Sequence, residues 1–354
     1  MDKNLVYSLI VPVAFTIFTL VYLKLARKHA VYDDPSGRSS HSDSTITGFG
    51  LFVIFGLLLY NIVFPYTMKS FFIIGLLMLG TVSYMDDLFF IKHFVRLIFQ
   101  IFALTLLAIE LPFGFVDLEK IPLIITVVIL GIGVLNAFNF MDGINGMLGL
   151  NSLVILLSFL YLNNFGIDSN GDALNFVSNA FLYTIIIGLL FFMFLNLRHK
   201  AVVFAGDTGS IALAFVIFYL MMSLIFKTGN LTYLLLFVVM GIDAGLTVIF
   251  KLLLRENIFV PHRDFLFKKL VHVGKFKHVN IALTYAGIQA LVSIVVIALP
   301  LQKRIPVQMS ILFLVTVTLC AAYINTRNKY TKKRVIKFSD YAELEDEEMP
   351  PTQP

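Results

Sequence analysis

Cysteine and charge are what this sequence has least of. Cys320 is the single cysteine in 354 residues, so an intramolecular disulfide and a metal site built from several cysteines are both excluded. Charged residues make up 14% of the chain and hydrophobic residues 58%. This balance excludes a soluble globular protein, which has no need of so much apolar surface. The basic residues form no separate domain, so no nucleic-acid partner is expected.

Long hydrophobic runs dominate the rest of the sequence. Runs of about twenty apolar residues match the roughly 30 Å hydrocarbon core of a bilayer. We predict an all-α polytopic membrane protein with about eleven transmembrane helices, the first of them a retained span and not a signal peptide. One integral membrane domain covers residues 1–326, and residues 327–354 form a basic and then acidic tail that we predict to be disordered. The predicted spans are 5–25, 46–66, 69–85, 94–111, 121–138, 146–163, 177–196, 208–226, 231–252, 281–299 and 308–325.

Lysine and arginine predict the orientation of these spans. When the loops are numbered alternately, 21 of the 27 basic residues fall on one side. Cytoplasmic loops carry the excess of basic residues in membrane proteins. We therefore predict that the N-terminus lies outside and the C-terminus lies in the cytoplasm.

Five polar clusters fall on the predicted cytoplasmic side, each at the end of an apolar run. Polar groups that converge at one membrane face are more typical of an active site than of independent helix ends. The clusters are Asp33–His41, Asp86-Asp87, Asn136–Gly146, Gly206–Ser210 and His262-Arg263.

The loop Asn136–Gly146 brings three amides, one carboxylate and two glycines into eleven residues. Carboxylate and amide oxygens are hard ligands suited to Mg²⁺, and amides also read the edge of a nucleobase. A helix cap followed by a turn is the structural alternative, because Asn, Asp and Gly favour such positions.

Acidic and basic residues in the other clusters indicate phosphate chemistry. The adjacent carboxylates Asp86 and Asp87 suit a metal site or a general base, and Arg96 could face a phosphate. Asp207 follows Gly206 at a predicted helix start, where backbone N–H groups favour anions and a bound cation would balance them. His262 and Arg263 suit phosphate or sugar contacts, although a solvated basic loop explains them equally well.

Asp243 stands apart from these clusters, in the middle of a predicted span. A carboxylate is expensive inside the membrane, so we expect a polar partner for it.

The ordered motifs Asp-Asp, Asn-x-x-Asn-x-x-Asp-Gly-x-x-Gly, Phe-x-Gly-Asp-x-Gly-Ser and a late His-Arg loop resemble one known superfamily. It is that of the polyprenyl-phosphate N-acetylhexosamine-1-phosphate transferases, which includes phospho-MurNAc-pentapeptide translocase, and the resemblance runs from Asp33 to about Leu270. It implies transfer of a sugar 1-phosphate from a UDP-sugar to polyprenyl (undecaprenyl) phosphate, with Mg²⁺ or alternatively Mn²⁺ and release of UMP. The implied setting is the first membrane step of cell-envelope polysaccharide synthesis in a bacterial cytoplasmic membrane. Membrane lipid is a further expected partner, and a homodimer is left open.

The resemblance also implies roles for individual residues. Asp207 resembles the principal Mg²⁺ ligand and Asn139 a second ligand. Asp86 and Asp87 resemble the essential acidic pair, and the resemblance adds His262 to the catalytic residues. The substrate-binding residues are expected to be Asn136, Asp142, Asn145, Arg96, Arg263 and His41.

The last motif departs from the common pattern. Many bacterial relatives read Asp-Arg-x-His-x-His-His, whereas this chain reads His262-Arg-Asp-Phe-Leu-Phe-Lys268. It looks closer to the His-Arg-Ser-His branch linked to O-antigen synthesis, so the sugar stays open. Two other classes are kept as alternatives, a secondary transporter and an intramembrane aspartyl protease. The first would place polar residues near the midplane in repeated halves, and the second needs two in-membrane aspartates.

Overall fold

The computed structural model describes residues 3–33, 44–65, 68–89, 91–111, 118–167, 171–198, 200–255, 264–299 and 304–347. Within these ranges the chain forms twelve α-helices and one two-stranded antiparallel sheet. The helices are α1 (Lys3–Lys28), α2 (Leu51–Val63), α3 (Ser70–Phe89), α4 (His93–Glu110), α5 (Ile121–Met141), α6 (Met147–Phe165), α7 (Asn179–Asn196), α8 (Gly206–Thr228), α9 (Val238–Leu253), α10 (Leu266–His272), α11 (His278–Ala298) and α12 (Ile305–Glu347).

Ten helical segments of the described chain are long and apolar enough to cross a membrane. The predicted class, an all-α polytopic membrane protein, is therefore confirmed. All eleven predicted spans coincide with helices, but α2 is only 13 residues long. It would reach about 20 Å at 1.5 Å per residue, which is less than the usual hydrocarbon core.

The second span is shorter than predicted because the chain before α2 is extended. Strands β1 (Tyr32–Asp33) and β2 (Thr45–Ile46) pair there. The Phe204 N–H then donates to the Ile46 carbonyl at 2.7 Å, and the Gly50 N–H donates to the Ala205 carbonyl at 3.0 Å. Hydropathy could not predict this stretch, because an apolar strand buried among helices reads like part of a helix.

Contacts between helix ends bring three of the polar sequence clusters to one end of the bundle, where Asp87 near the end of α3 and Asn139 near the end of α5 both contact Asp207 at the start of α8. We call it the polar end, defined as the end where α3 and α5 finish and α8 starts. At the opposite end, the Glu110 carboxylate that closes α4 accepts the Phe71 N–H of α3 at 3.1 Å. These contacts therefore support the shared end that the sequence predicted, and the side of the membrane on which it lies stays a prediction.

Helix α8 is the centre of the bundle. In its most apolar 18-residue window 83% of the residues are buried, against 22% in α1 and 11% in α12. Helices α2, α3, α5 and α6 all pack against it. The start of α8 is therefore surrounded by protein, and side chains from several neighbouring helices can reach it.

The predicted span 231–252 is a short 3₁₀ helix, Leu231–Phe237, followed by α9. Such a junction leaves backbone groups without their helical partners, which is costly inside a membrane. The buried amide of Gln289 compensates by accepting from the Val239 N–H at 3.1 Å and donating to the Leu235 carbonyl at 3.0 Å.

Helix α12 extends well beyond the predicted span 308–325 and continues to Glu347, so it includes most of the predicted C-terminal tail 327–354. The disorder of that tail stays a prediction.

Candidate active site

Asp207 is the residue on which the polar end converges. It lies in the first turn of α8, with its side chain 28% exposed. Its Oδ2 lies 2.6 Å from Nη1 of Arg96 on α4, and its Oδ1 accepts from the Asn139 amide on α5 at 2.7 Å. The same Asn139 amide nitrogen donates to Ser210 Oγ at 3.2 Å. Three predicted site residues from three helices therefore meet at one carboxylate.

Arg96 joins Asp207 to Asp86. The same Nη1 atom lies 2.6 Å from Asp86 Oδ2, and the side chains of Arg96 and Asp86 are 14% and 8% exposed. Asp86 also accepts the Ile91 N–H, which holds the turn between α3 and α4. One largely buried guanidinium therefore lies between two carboxylates. The short distances are those expected of charge-assisted hydrogen bonds.

Asp87 faces the backbone of α8. Its carboxylate accepts the Asp207 N–H at 2.8 Å, the Thr208 N–H at 3.1 Å and the Thr208 hydroxyl at 2.6 Å. The first N–H groups of a helix lack intrahelical partners, and a carboxylate satisfies them and favours the helix dipole. Asp87 thus acts as an N-cap supplied by another helix, and its catalytic role stays a prediction.

Gly206 makes this cap possible. Its φ of +71° is left-handed, and a Cβ added there would lie 2.5 Å from Asp87 Oδ2. Only glycine combines that backbone conformation with such a close approach at little cost. The Gly-Asp-x-Gly-Ser motif therefore has a structural reason for its first glycine.

Asp142 caps the C-terminal end of α5, just outside the membrane-spanning segment. Desolvation raises the pKa of its carboxyl to about 8, and the charges of Asp207, Asp87 and Asp33 add to the increase, while a hydrogen bond from the Gly206 N–H opposes it. The site therefore carries more negative charge than Arg96 balances. An added cation, a proton or a metal ion, would be favoured there.

Asn145 is buried and forms part of the scaffold of the loop. Its amide donates to the Arg198 carbonyl at 2.9 Å, and the next residue, Gly146, donates its N–H to Asn196 Oδ1 at 2.8 Å. Asn196 in turn donates to the Val203 carbonyl at 3.0 Å, which fixes the segment leading into α8. The predicted substrate contact of Asn145 stays a prediction, beside this structural role.

Asn136 lies one helical turn before Asn139. Its amide donates to Gln100 Oε1 on α4 at 3.1 Å and to the Ile132 carbonyl at 2.8 Å. Gln100 is 4% exposed and was missed in the sequence because it stands alone within an apolar run. The pair ties α4 to α5 beside the site, and a direct substrate contact of Asn136 stays a prediction.

His41, His262 and Arg263 lie outside the described residues. Their described neighbours lie at the polar end. The charge of Asp33, which precedes the first loop, contributes to the raised pKa of Asp142. The ring of Phe265, which follows the second loop, lies 5.5 Å from the ring of Phe140, between centroids. Both chain segments therefore start or finish beside the predicted loop Asn136–Gly146, whose residues up to Met141 form the last turns of α5.

The metal-binding groups of the site suit a hard cation in part. No group of three or more His, Cys, Asp or Glu side chains with metal-binding geometry occurs among the described residues. However, the carboxylates of Asp142 and Asp207 supply oxygen atoms and excess negative charge, which Mg²⁺ prefers. Mg²⁺ also commonly keeps water and substrate phosphates as ligands, so it does not need a closed cage of protein atoms. The residues therefore fit an ion that is held jointly by the protein and a phosphate ligand.

Comparison with known proteins identifies this part of the chain. Residues 70–225, which contain Asp86, Arg96, Asn139 and Asp207, match the protein family described as glycosyl transferase family 4. The segment is a glycosyl transferase family 4 region. The resemblance predicted from the ordered motifs is thereby confirmed. The matched residues include all the site contacts described above, except those of Asp33 and Phe265.

The chain is also similar to a curated protein of Bacillus subtilis (strain 168). That protein is named "Probable undecaprenyl-phosphate N-acetylglucosaminyl 1-phosphate transferase". The two are 22% identical over 294 residues, which cover 76% of this chain and 77% of the relative. The similarity therefore extends beyond the family 4 region.

Proposed function

We propose that this multi-pass membrane protein transfers an N-acetylhexosamine 1-phosphate from a UDP-sugar to a polyprenyl phosphate and releases UMP. The observation that carries the proposal is the meeting of Asp86, Arg96, Asn139 and Asp207 at the start of α8, inside the family 4 region. The name of the Bacillus subtilis relative supports the lipid acceptor and the sugar-phosphate donor.

The reaction exchanges one phosphorus–oxygen bond for another. An oxygen of the lipid phosphate attacks the phosphorus bonded to the sugar, and the bond from that phosphorus to the oxygen bridging to UMP breaks. UMP leaves with the electron pair of that bond. Both reactants are anions, so catalysis consists mainly of holding them together and stabilising the charge that develops.

Each residue of the site has a task in this scheme. The guanidinium of Arg96, balanced by Asp86 and Asp207, supplies a fixed positive charge near the phosphates. The N–H groups at the start of α8, held in place by Asp87, add their dipole to the same end of the site. The acceptor phosphate is largely ionised near neutral pH, so Asp86 and Asp87 are needed for positioning more than as a strong base.

Asp207, with Asn139 beside it, would hold Mg²⁺ in this proposal. A divalent cation held there would supply positive charge against the negative charge that develops on the donor phosphates. Asn139 faces Asp207 with its amide nitrogen, so a direct metal contact requires the amide to turn over, which exchanges its nitrogen and oxygen.

Neither alternative class receives support from a specific contact. The Arg96 guanidinium lies between the carboxylates of Asp86 and Asp207, where a protease dyad would hold a shared proton. The residues of the site lie near the ends of helices, with Asp243 inside α9 as the exception, whereas a transporter of that kind would place polar residues at a midplane site between repeats.

The test is a reconstituted reaction over a panel of donors. Purified protein is incubated with polyprenyl phosphate, Mg²⁺ and UDP-N-acetylhexosamines, and UMP and the lipid-linked product are measured by mass spectrometry. We expect equal amounts of UMP and of a lipid carrying a pyrophosphate-linked sugar from at least one donor. A sugar transferred without its phosphate, with UDP as the second product, would contradict the proposed reaction.

A further inference from the structure

Asp243 is a fully buried carboxylate in the middle of α9, and it lies outside the site described above. It is 0% exposed. Its two oxygens accept from the Tyr285 hydroxyl at 2.7 Å, the Leu266 N–H at 2.9 Å, the Tyr323 hydroxyl at 3.0 Å and the Phe267 N–H at 3.3 Å. A weaker contact comes from the Thr247 hydroxyl at 3.4 Å. All five donors are neutral groups, so Asp243 is the centre of a hydrogen-bond hub.

The hub connects four helices. Tyr285 belongs to α11, Tyr323 to α12, and Leu266 and Phe267 are the first two residues of α10. Helix α10 has only seven residues, and an isolated helix of that length is not stable by itself. Asp243 takes up the two N–H groups that start α10, so the carboxylate fixes the place where this short helix meets the bundle.

Helix α10 packs directly onto the loop that contains Asp142. A Cβ added at Gly143 would lie 3.0 Å from Lys268 Cε and 3.1 Å from the Phe267 ring. The Lys268 ammonium lies 5.7 Å from the ring centroid of Phe265. Helix α10 therefore places a cationic side chain against the loop Asn136–Gly146, next to a carboxylate-rich site.

We propose that Asp243 is a positioning residue that holds α10 against the loop Asn136–Gly146 and thereby sets the affinity of the site for its phosphate-bearing donor. The position of α10 affects donor binding through Lys268, because the ammonium of this side chain can attract the donor phosphates. The inference rests on the proposed function for the identity of the donor. It assigns Asp243 a task in binding, whereas a purely structural carboxylate would affect only folding.

Two buried tyrosine hydroxyls allow a matched pair of substitutions, which distinguishes a task in binding from a purely structural role. Tyr285 donates to Asp243 at 2.7 Å, and Tyr7 exchanges a hydrogen bond with Thr184 at 2.7 Å between α1 and α7. Both side chains are buried, at 6% and 3% exposure. Tyr285→Phe and Tyr7→Phe remove one buried hydroxyl each, and only the first is connected to α10.

The kinetic experiment measures UMP release by full-length wild type, Tyr285→Phe, Asp243→Asn and Tyr7→Phe across donor concentrations. We expect Tyr285→Phe and Asp243→Asn to raise the donor KM by roughly tenfold, with kcat changed less than KM, as for a displaced binding group. Tyr7→Phe should keep the wild-type donor KM, even if its Tm falls by as much as the Tm of Tyr285→Phe. A wild-type donor KM in both hub variants, or an equal rise in Tyr7→Phe, would overturn the inference.

Hydrogen exchange tests the same inference without any turnover. Tyr285→Phe should speed amide exchange at residues 266–272 and in the loop at residues 139–146, and Tyr7→Phe should leave both segments as in the wild type. Unchanged protection of the loop in Tyr285→Phe would overturn the inference. If wild-type protein releases no UMP from any donor, the proposed function fails, and exchange in the loop still decides the role of Asp243.

Discussion

Asp87 and Asp207 lie 120 residues apart in sequence, and the carboxylate of the first accepts the backbone N–H of the second at 2.8 Å. A residue at the end of α3 therefore completes the start of α8, the helix at the centre of the bundle. This link explains why an acidic pair and a Gly-Asp motif occur together in one chain. The acidic pair also divides its work, because Asp86 faces Arg96 while Asp87 faces the α8 backbone.

Removal of the Asp87 cap should destabilise the protein. Asp87→Ala leaves the N–H groups of Asp207 and Thr208 without their acceptor, and loss of an N-cap costs about 0.5–2 kcal/mol. We expect a Tm several degrees below that of Glu119→Ala, which removes an exposed carboxylate at the opposite end of the bundle. Equal unfolding temperatures for the two purified variants would show that Asp87 does not hold α8.

Glycine should be required at position 206 and dispensable at position 133. Gly206→Ala would force a Cβ into Asp87 from a left-handed backbone, so we expect loss of most activity and a lower Tm. A Cβ at Gly133, in α5, would meet nothing within 4 Å, so Gly133→Ala should be neutral or stabilising by about 1 kcal/mol through helix propensity. A fully active, stable Gly206→Ala would contradict the described approach of Asp87 to the backbone.

The raised pKa of Asp142 predicts how stability depends on pH. Its carboxyl titrates at about 8 in the folded protein against 3.8 as the reference value, so the folded state holds the proton more tightly. The contribution of this group to stability is therefore greatest below pH 3.8 and is lost as the pH rises to about 8. In the presence of a chelator, Asp142→Asn should gain Tm relative to the wild type across that range. A Tm difference that does not change with pH would be the contrary result.

The orientation of the bundle can be tested with two exposed positions. Glu119 lies at the end opposite the site, and Lys200 lies between α7 and α8 at the polar end. In a Cys320→Ser background, a membrane-impermeant thiol reagent should label Glu119→Cys on intact cells and label Lys200→Cys only after the membrane is opened. The reverse pattern would place the site on the outer face.

The positions of the helices, and the end of the bundle that Asp86, Asn139 and Asp207 share, were largely predictable from the sequence. Hydropathy located the spans, and the alternation of helices implied that Asp86, Asn139 and Asp207 share one end. The directions of the side chains were not predictable, because they depend on contacts between distant helices. Asp87 pairs with the α8 backbone, and Asn145 pairs with the carbonyl of Arg198.

Two features could not be read from local patterns at all. Asp243 looked like an isolated charge, since its donors come from positions up to 80 residues away. Gln100 stood alone in an apolar run, and only the packing of α4 on α5 gives it Asn136 as a partner. For Asp243 the sequence indicated that a buried polar group needs a partner, whereas Gln100 was missed. In both cases tertiary structure decided which group the partner is.

The most direct measurement is UMP release by wild type, Asp207→Asn and Glu119→Gln across a Mg²⁺ and Mn²⁺ titration. Asp207→Asn keeps the size of the side chain and removes its charge where the donor phosphates and the ion would meet. We predict that it lowers activity by about 10²-fold or more and alters the metal dependence, as for lost stabilisation of a developing charge. Glu119→Gln, which neutralises an exposed carboxylate at the far end, should behave as the wild type. Wild-type turnover and metal dependence in a folded Asp207→Asn would contradict the placement of the active site at the start of α8.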